Sequence, residues 1–163
     1  MGYLPYLGAV SVLLAAFYVW KSYVSYLEGE HKTCLVFLTA LTDLRERMRC
    51  YLDSPRRWAQ DYSDPLLDEC GFLHRVREGG DVSAAYREVR DELLLPKTVD
   101  ALLDGFFLRL GEGYIDAELE AISLTIDKLK SAIEGEALEL TRRRRVAGAL
   151  IGACASGIVI LVI

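Results

Sequence analysis

The feature that most constrains this chain is that both of its ends are apolar while its middle is charged. Residues 2–20 and residues 146–163 contain no charged side chain. A helix needs about 20 apolar residues to cross the hydrocarbon core of a bilayer. The first run reaches this length if the helix continues to Leu27, and the second is just long enough. We therefore expect one membrane-spanning helix over residues 3–27 and another over residues 142–163, the latter beginning with a basic anchor.

Two other interpretations of the first run are a buried core helix and a cleaved signal peptide. A signal peptide needs a basic start and a cleavage site of small residues. No Lys or Arg precedes Lys21, and bulky residues follow the small pair Ala15 and Ala16. Aromatic residues bracket the run in the manner of a membrane-interface belt; they are Tyr3, Tyr6, Trp20, Tyr23 and Tyr26.

The positions of the basic residues predict an orientation. Lys21 follows the first apolar run, and four arginines precede the second: Arg142, Arg143, Arg144 and Arg145. Basic residues next to a span favour the cytoplasmic side. We therefore expect the middle, residues 28–141, to be cytoplasmic and both termini to lie across the membrane.

Small residues recur within the second apolar run. Small residues four positions apart allow another helix to approach closely in lipid. The alternative is ordinary membrane-helix composition, which is rich in Gly and Ala. The predicted packing face comprises Gly148 and Gly152, together with Ala149, Ala153 and Gly157.

The middle reads as helices separated by turn and cap signals, without an alternating strand pattern. Ser54-Pro55 and Asp64-Pro65 are typical helix starts. The predicted helices extend to about residue 52, then over residues 55–62, from 65 to the pair Gly79-Gly80, from Asp81 to the interruption at Pro96, over 99–110, and from 114 to 163.

The first and last of these helices carry apolar stripes at helical spacing. The stripe of the first helix is Val24, Leu27, His31, Cys34, Leu38, Leu41, Leu44, Met48 and Tyr51. The last helix has a heptad-like seam: Ile115, Leu119, Ile122, Ile126, Leu129, Ile133, Ala137 and Leu140. We expect an all-α membrane protein in which terminal transmembrane helices flank a cytoplasmic helical bundle. The two long helices would form an antiparallel stalk with the short helices at its far end.

The sequence offers little for catalysis or for holding a cofactor. His31 and His74 are far apart in the chain, and Gly79-Gly80-Asp81 lacks the Lys and Ser/Thr of a phosphate-binding loop. No pair among the four cysteines, Cys34, Cys50, Cys70 and Cys154, has the spacing of a zinc site. The net charge of −5 argues against a nucleic-acid partner. We expect a protein that is not an enzyme, with no catalytic residue, cofactor or metal, and with reduced thiols.

Several segments resemble the stage III sporulation protein AB family. They are Leu110-Gly111 followed by Asp116, the heptad helix, the arginine cluster, Gly148 and Gly152 before an apolar end, Leu7-Gly8-Ala9 in the first span, and residues 80–85. The likeness covers nearly the whole chain. The chain departs from the family in a longer aromatic first span and in Ala85-Tyr86, where alanine-tryptophan is expected.

The resemblance implies a platform subunit of a sporulation channel in the mother-cell membrane around the forespore. Such proteins resemble half of the inner-membrane platform protein of type II secretion and type IV pilus machines, and act with a cytoplasmic secretion-type ATPase. One alternative is a platform fragment of a general secretion or pilus system, although a full-length platform would carry a second helical domain. An enzyme or small-molecule sensor is a third possibility.

A platform subunit would present a cytoplasmic surface to its motor, and the stalk arrangement predicts that surface at the membrane-distal loops. The candidate tip comprises Gly79, Gly80, Asp81, Arg87, Arg90, Gly111 and Asp116, with Arg75 and Arg77 nearby. The alternative is that these glycines only end helices. We expect the arginines of the tip to contact an acidic surface of the ATPase.

Overall fold

Helices account for the regular secondary structure of the described residues, 4–111 and 113–162, in a computed structural model of the chain. Their bounds are α1 Leu4–Tyr51, α2 Pro55–Asp61, α3 Pro65–Glu69, α4 Phe72–Arg77, α5 Val82–Val89, α6 Lys97–Phe107 and α7 Ile115–Val162. The prediction of an all-helical chain is confirmed for these residues. Helix α7 continues without a break through the arginine cluster, as predicted.

Two of the short helices begin where the cap-then-proline signals predict. Ser54 Oγ accepts a hydrogen bond from Arg57 N at 3.3 Å, and Pro55 follows as the first residue of α2. Asp64 Oδ1 accepts hydrogen bonds from Leu66 N at 2.9 Å and from Leu67 N at 3.3 Å. These side chains satisfy backbone donors that have no partner within a helix.

The single helix expected from Pro65 to Gly79 is wrong, because the chain breaks at Gly71. This glycine has φ +77°, a left-handed conformation that favours glycine, and it separates α3 from α4. A side-chain hydrogen bond also stabilises this turn. The Arg75 Nη1 atom donates to Cys70 O at 3.3 Å across the turn.

The described residues belong to two compact units. Unit 1 comprises Met1–Gly29 and Glu136–Ile163, and unit 2 comprises Glu30–Gly135. Unit 2 has a core to which segments of α1 and α7 and all five short helices contribute. At its centre are four aromatic rings from four helices: Phe37, Phe72, Tyr86 and Phe107.

The two predicted stripes supply much of the buried surface of the long helices. The buried members are Leu27, Cys34, Leu41, Leu44 and Met48 in α1, and Ile122, Ile126, Leu129 and Ile133 in α7. The outermost members differ. Tyr51 is 75% exposed and Ile115 is 46% exposed, so the stripe of α1 ends about one turn earlier than predicted and that of α7 begins about one turn later. The side chain of Ala137 lies outside the described residues.

The N-terminal part of α1 has an apolar surface that the rest of the described chain does not cover. Among the described residues one helical segment, Val10–Tyr51, is long and apolar enough to cross a membrane; its most apolar window has a mean hydropathy of 1.3 and is 6% buried. A core helix would bury most of such a window, so the core-helix interpretation does not fit. The second expected span, residues 142–163, includes side chains that lie outside the described part of the chain, so it stays a prediction.

Candidate membrane and partner surfaces

The four consecutive arginines of α7 point in different directions, because successive side chains of a helix are about 100° apart. Arg144 Nη2 binds Glu28 Oε1 of α1 at 2.9 Å, and Arg143 Nη2 binds Glu139 Oε2 at 2.9 Å. Arg142 and Arg145 are exposed and make no ion pair within residues 4–111 and 113–162. Lys21 is likewise exposed on α1. Within the described chain, therefore, acidic partners neutralise only two of the four arginines of the predicted basic anchor.

On the predicted small-residue face of α7, one glycine is in contact with a side chain of α1 and the other glycines are not. A Cβ atom at Gly148 would lie 3.4 Å from Trp20 Nε1, so the indole ring rests on this glycine. The Trp20 Nε1 atom is shielded from solvent and has no acceptor in the described part of the chain. Cβ atoms at Gly152 and Gly157 would meet nothing within 4 Å in the part of the chain that the structure describes. Ala149 and Ala153 are also exposed.

The glycines of the candidate tip are required by the backbone. Gly79 has φ +92°, and a Cβ atom there would lie 3.0 Å from Arg56 Nη2. A Cβ atom at Gly80 would lie 2.9 Å from the Arg75 carbonyl oxygen, which is too close. Asp81 is the N-cap of α5 and accepts a hydrogen bond from Ser83 N at 3.4 Å. These contacts account for Gly79, Gly80 and Asp81 as structural residues, whether or not a partner also contacts them.

A second part of the tip is the connection between α6 and α7. Gly111 has φ +94°, and Glu118 Oε1 accepts hydrogen bonds from Gly111 N at 2.9 Å and from Gly113 N at 3.2 Å. Asp116 is exposed in the first turn of α7. Residues adjoining the two parts of the tip, Val82 and Leu110, line the same small cavity in the core of unit 2. The structure therefore brings the segments after Gly80 and before Gly111 to one region.

The arginines expected to face an acidic partner already have partners within unit 2. Arg75 Nε binds Glu88 at 2.7 Å, and Arg87 Nε binds Asp104 at 3.2 Å. Arg90 Nη2 binds Asp100 at 2.8 Å. Arg56 differs, because it is exposed and makes no ion pair among the described residues. The unneutralised basic group nearest Gly79 is thus a residue that the sequence interpretation omitted.

Arg77 joins three short helices. Its Nε atom donates to Ala59 O at 2.7 Å, Nη2 to Tyr62 O at 2.7 Å and Nη1 to Asp68 Oδ1 at 2.9 Å. Burial by itself would raise the pKa of Asp68, but hydrogen bonds from Ser63 and Arg77 outweigh it and hold the pKa below its ordinary value. Arg77 is therefore a structural residue of unit 2.

Tyr86 links α5 to α6 through Asp100. The phenol is fully buried and donates a hydrogen bond to Asp100 Oδ1 at 2.8 Å. Burial, followed by the hydrogen bond to the Asp100 carboxylate, raises the pKa of Tyr86 far above its ordinary value. Asp100 also accepts the hydrogen bond from Arg90. Arg90 thus neutralises the charge of the Asp100 carboxylate, which the buried Tyr86 phenol needs as its hydrogen-bond acceptor.

The remaining titratable groups do not converge on one point. No group of three or more His, Cys, Asp or Glu side chains is placed to hold a metal ion in the part of the chain that the structure describes. His74 is exposed beside Glu78, at 3.5 Å. Burial raises the pKa of the Cys70 thiol and so disfavours its reactive thiolate.

Sequence reasoning missed Glu28, Glu118 and Arg56, and it named Trp20 as a belt residue without its contact to Gly148. Glu118 had a local signal, because an acidic residue in the first turn of a helix can bind the backbone amides before it. Glu28 had none, since its partner Arg144 is 116 residues away.

Comparison of the chain with protein-family models, with curated proteins and with solved structures found no match. The structure defines a class: over the described residues the protein is all-helical, and one helix among them is long and apolar enough to span a membrane.

Proposed function

We propose that this chain is a non-enzymatic membrane scaffold, a platform subunit of a larger complex. The observation that carries this proposal is the exposed apolar surface of α1. Its exposed large side chains include Val10, Leu13, Leu14, Phe17, Tyr18 and Val19, and the same helix supplies core residues of unit 2 further along. Exposed apolar area of this kind is stable against lipid or another protein and not against water.

The particular complex follows from the resemblance to stage III sporulation protein AB. On this proposal the chain has two spans and serves a secretion-like channel in the mother-cell membrane around the forespore, with unit 2 in the cytoplasm beside a secretion-type ATPase. The alternative is a fragment of a general type II secretion or type IV pilus platform. Deletion of the gene in a spore-forming host distinguishes them: arrest of development after engulfment supports the proposal, and normal spores with impaired secretion support the alternative.

The exposure of the native cysteines allows a direct test of orientation. Cys50 is exposed in unit 2, whereas Cys34 is buried and Cys70 is half-buried with a raised thiol pKa. A membrane-impermeant maleimide applied to intact cells carrying the Cys154→Ser chain should leave Cys50 unmodified until the cells are lysed. A cysteine introduced at position 2 or 163, outside the described residues, should react in intact cells. Modification of Cys50 before lysis would refute a cytoplasmic unit 2.

Contact with an ATPase is best tested at Arg56. Reversing Arg90 would place two carboxylates beside each other at Asp100 and would disturb folding, so Arg90 is not a suitable position for this test. Arg56→Glu breaks no ion pair among the described residues and should weaken capture of the ATPase by the full chain, more strongly at low salt. Lys130→Glu is the matched control, an equal charge change fifteen residues into α7. Equal capture by both variants would exclude this surface.

A further inference from the structure

Helices α1 and α7 form a groove in unit 1 beside the arginine cluster. Its volume is about 460 Å³, and it is lined by Tyr23 from α1 and by Glu139, Arg142, Arg143, Val146, Ala147 and Leu150 from α7. The α7 residues recur at three- and four-residue spacing, so they share one face of the helix. The groove extends from the last charged turn of α7 into the first turns of its apolar run.

One end of this groove has an unneutralised positive charge. Arg143 is held by Glu139 at 2.9 Å, so this pair contributes little net charge. Arg142 is exposed and makes no ion pair among the residues that the structure describes. Its guanidinium can donate two parallel hydrogen bonds to a phosphate. Tyr23, which is 37% exposed, lines the groove from the opposite helix.

The other end of the groove is apolar. Val146, Ala147 and Leu150 offer hydrocarbon contacts and no side-chain hydrogen-bond donor. Val146 and Leu150 are 51% and 61% exposed. A ligand that satisfies both ends has an anionic headgroup joined to an acyl chain. A soluble phosphate would use only the basic end.

We propose that this groove binds an anionic phospholipid, with Arg142 contacting the headgroup phosphate and the acyl chain lying along Val146 and Leu150. The inference rests on the proposed membrane anchoring of the chain. It assigns distinct tasks to neighbouring arginines: Arg144 binds α1 through Glu28, whereas Arg142 binds lipid. Glu139 limits the attraction by neutralising Arg143.

The test is lipid retention by the full-length chain, purified in mild detergent and analysed by native mass spectrometry. Added phosphatidylglycerol should remain bound in preference to phosphatidylcholine. Arg142→Gln should lower phosphatidylglycerol binding about fivefold, the factor expected for one arginine near an anionic surface. Arg145→Gln is the matched control, because it removes the same charge three residues away but does not line the groove. Equal losses in the two variants would overturn the specific site.

Three further measurements separate the remaining outcomes. Glu139→Gln should raise phosphatidylglycerol binding, because it releases the charge of Arg143; a decrease would overturn the proposed division of charge. Excess inorganic phosphate should not displace the lipid, and displacement would assign the site to soluble anions. Membrane anchoring is measured independently by alkaline extraction of cell membranes. A chain that stays in the membrane but does not select phosphatidylglycerol refutes the lipid site alone, whereas a chain extracted from the membrane refutes the proposed function as well.

Discussion

At the scale of single residues, Leu52 has an unfavourable conformation. It has φ +56° and is the one non-glycine residue with positive φ among residues 4–111 and 113–162. It follows the last residue of α1, the position where a glycine commonly ends a helix. Its side chain is 69% exposed, so packing compensates little of the strain.

Leu52→Gly should therefore stabilise unit 2. The left-handed conformation costs an L-residue about 1–2 kcal/mol, partly offset by the greater freedom of glycine in the unfolded chain. We expect a net gain of about 0.5–1 kcal/mol. The measurement is the thermal midpoint at which the buried Cys34 thiol becomes reactive in detergent. Leu52→Ala retains the strain, and an equal gain in that control would show that φ is not the cause.

At the scale of helices, ion pairs and hydrogen bonds join the short helices of unit 2 to one another. Helices α2 to α6 are each eleven residues or shorter, and helices of this length are marginal in isolation. The contacts of Arg77 connect α4 to the C-terminal part of α2 and to Asp68 in α3. Tertiary contacts of this kind therefore fix the positions of helices that would not be stable alone.

Acid should weaken the link between α3 and α4. Because the pKa of Asp68 is lower in the folded chain than in the unfolded chain, its contribution to stability is present above about pH 4 and is lost as the pH falls through the folded value. Asp68→Asn should lower the thermal midpoint near neutral pH and reduce its further fall below about pH 4. Asp127→Asn, an exposed position without an ion pair among the described residues, is the control. Identical pH profiles for Asp68→Asn and the unaltered chain would contradict the link.

At the scale of the whole molecule, two glycines one helical turn apart allow folding and assembly to be separated. Trp20 occupies the space above Gly148, whereas a Cβ atom at Gly152 would meet none of the described neighbouring atoms within 4 Å. A side chain at the first position disturbs the chain itself. A side chain at the second affects only what approaches from outside.

Gly148→Leu should displace Trp20 and destabilise unit 1, at a cost of about 1–3 kcal/mol, as overpacking usually does. Gly152→Leu should leave the isolated chain unchanged and reduce crosslinking to a neighbouring membrane helix. The measurements are the wavelength of Trp20 fluorescence in a Trp58→Phe background and crosslinking yield in membranes. Unchanged crosslinking of Gly152→Leu to every neighbour would exclude this face from assembly.

Much of the helical layout was predictable because its signals are local. Ser54, Asp64 and Asp81 cap helices where the sequence indicates, and the apolar stripes of α1 and α7 follow helical periodicity. The break at Gly71 was not predictable from spacing, since Leu66, Leu67, Leu73 and Val76 fit one continuous helix. The partners of Arg87 and Arg90 also lacked a local signal, because Asp104 and Asp100 meet them only after α5 and α6 pack together. A charged residue without a local partner in the sequence therefore does not by itself indicate a free binding surface.

The aromatic cluster of unit 2 has an optical consequence. The Phe37 ring lies 6.2 Å from that of Phe72, 6.0 Å from that of Tyr86 and 6.3 Å from that of Phe107, between centroids. Rings held in a fixed asymmetric array give circular dichroism bands in the near ultraviolet, and these bands vanish when tertiary packing is lost although helices persist. The cluster forms only when α1, α4, α5 and α6 are assembled. Unit 2 thus has a spectral signature that distinguishes its native packing from the helix content contributed by unit 1.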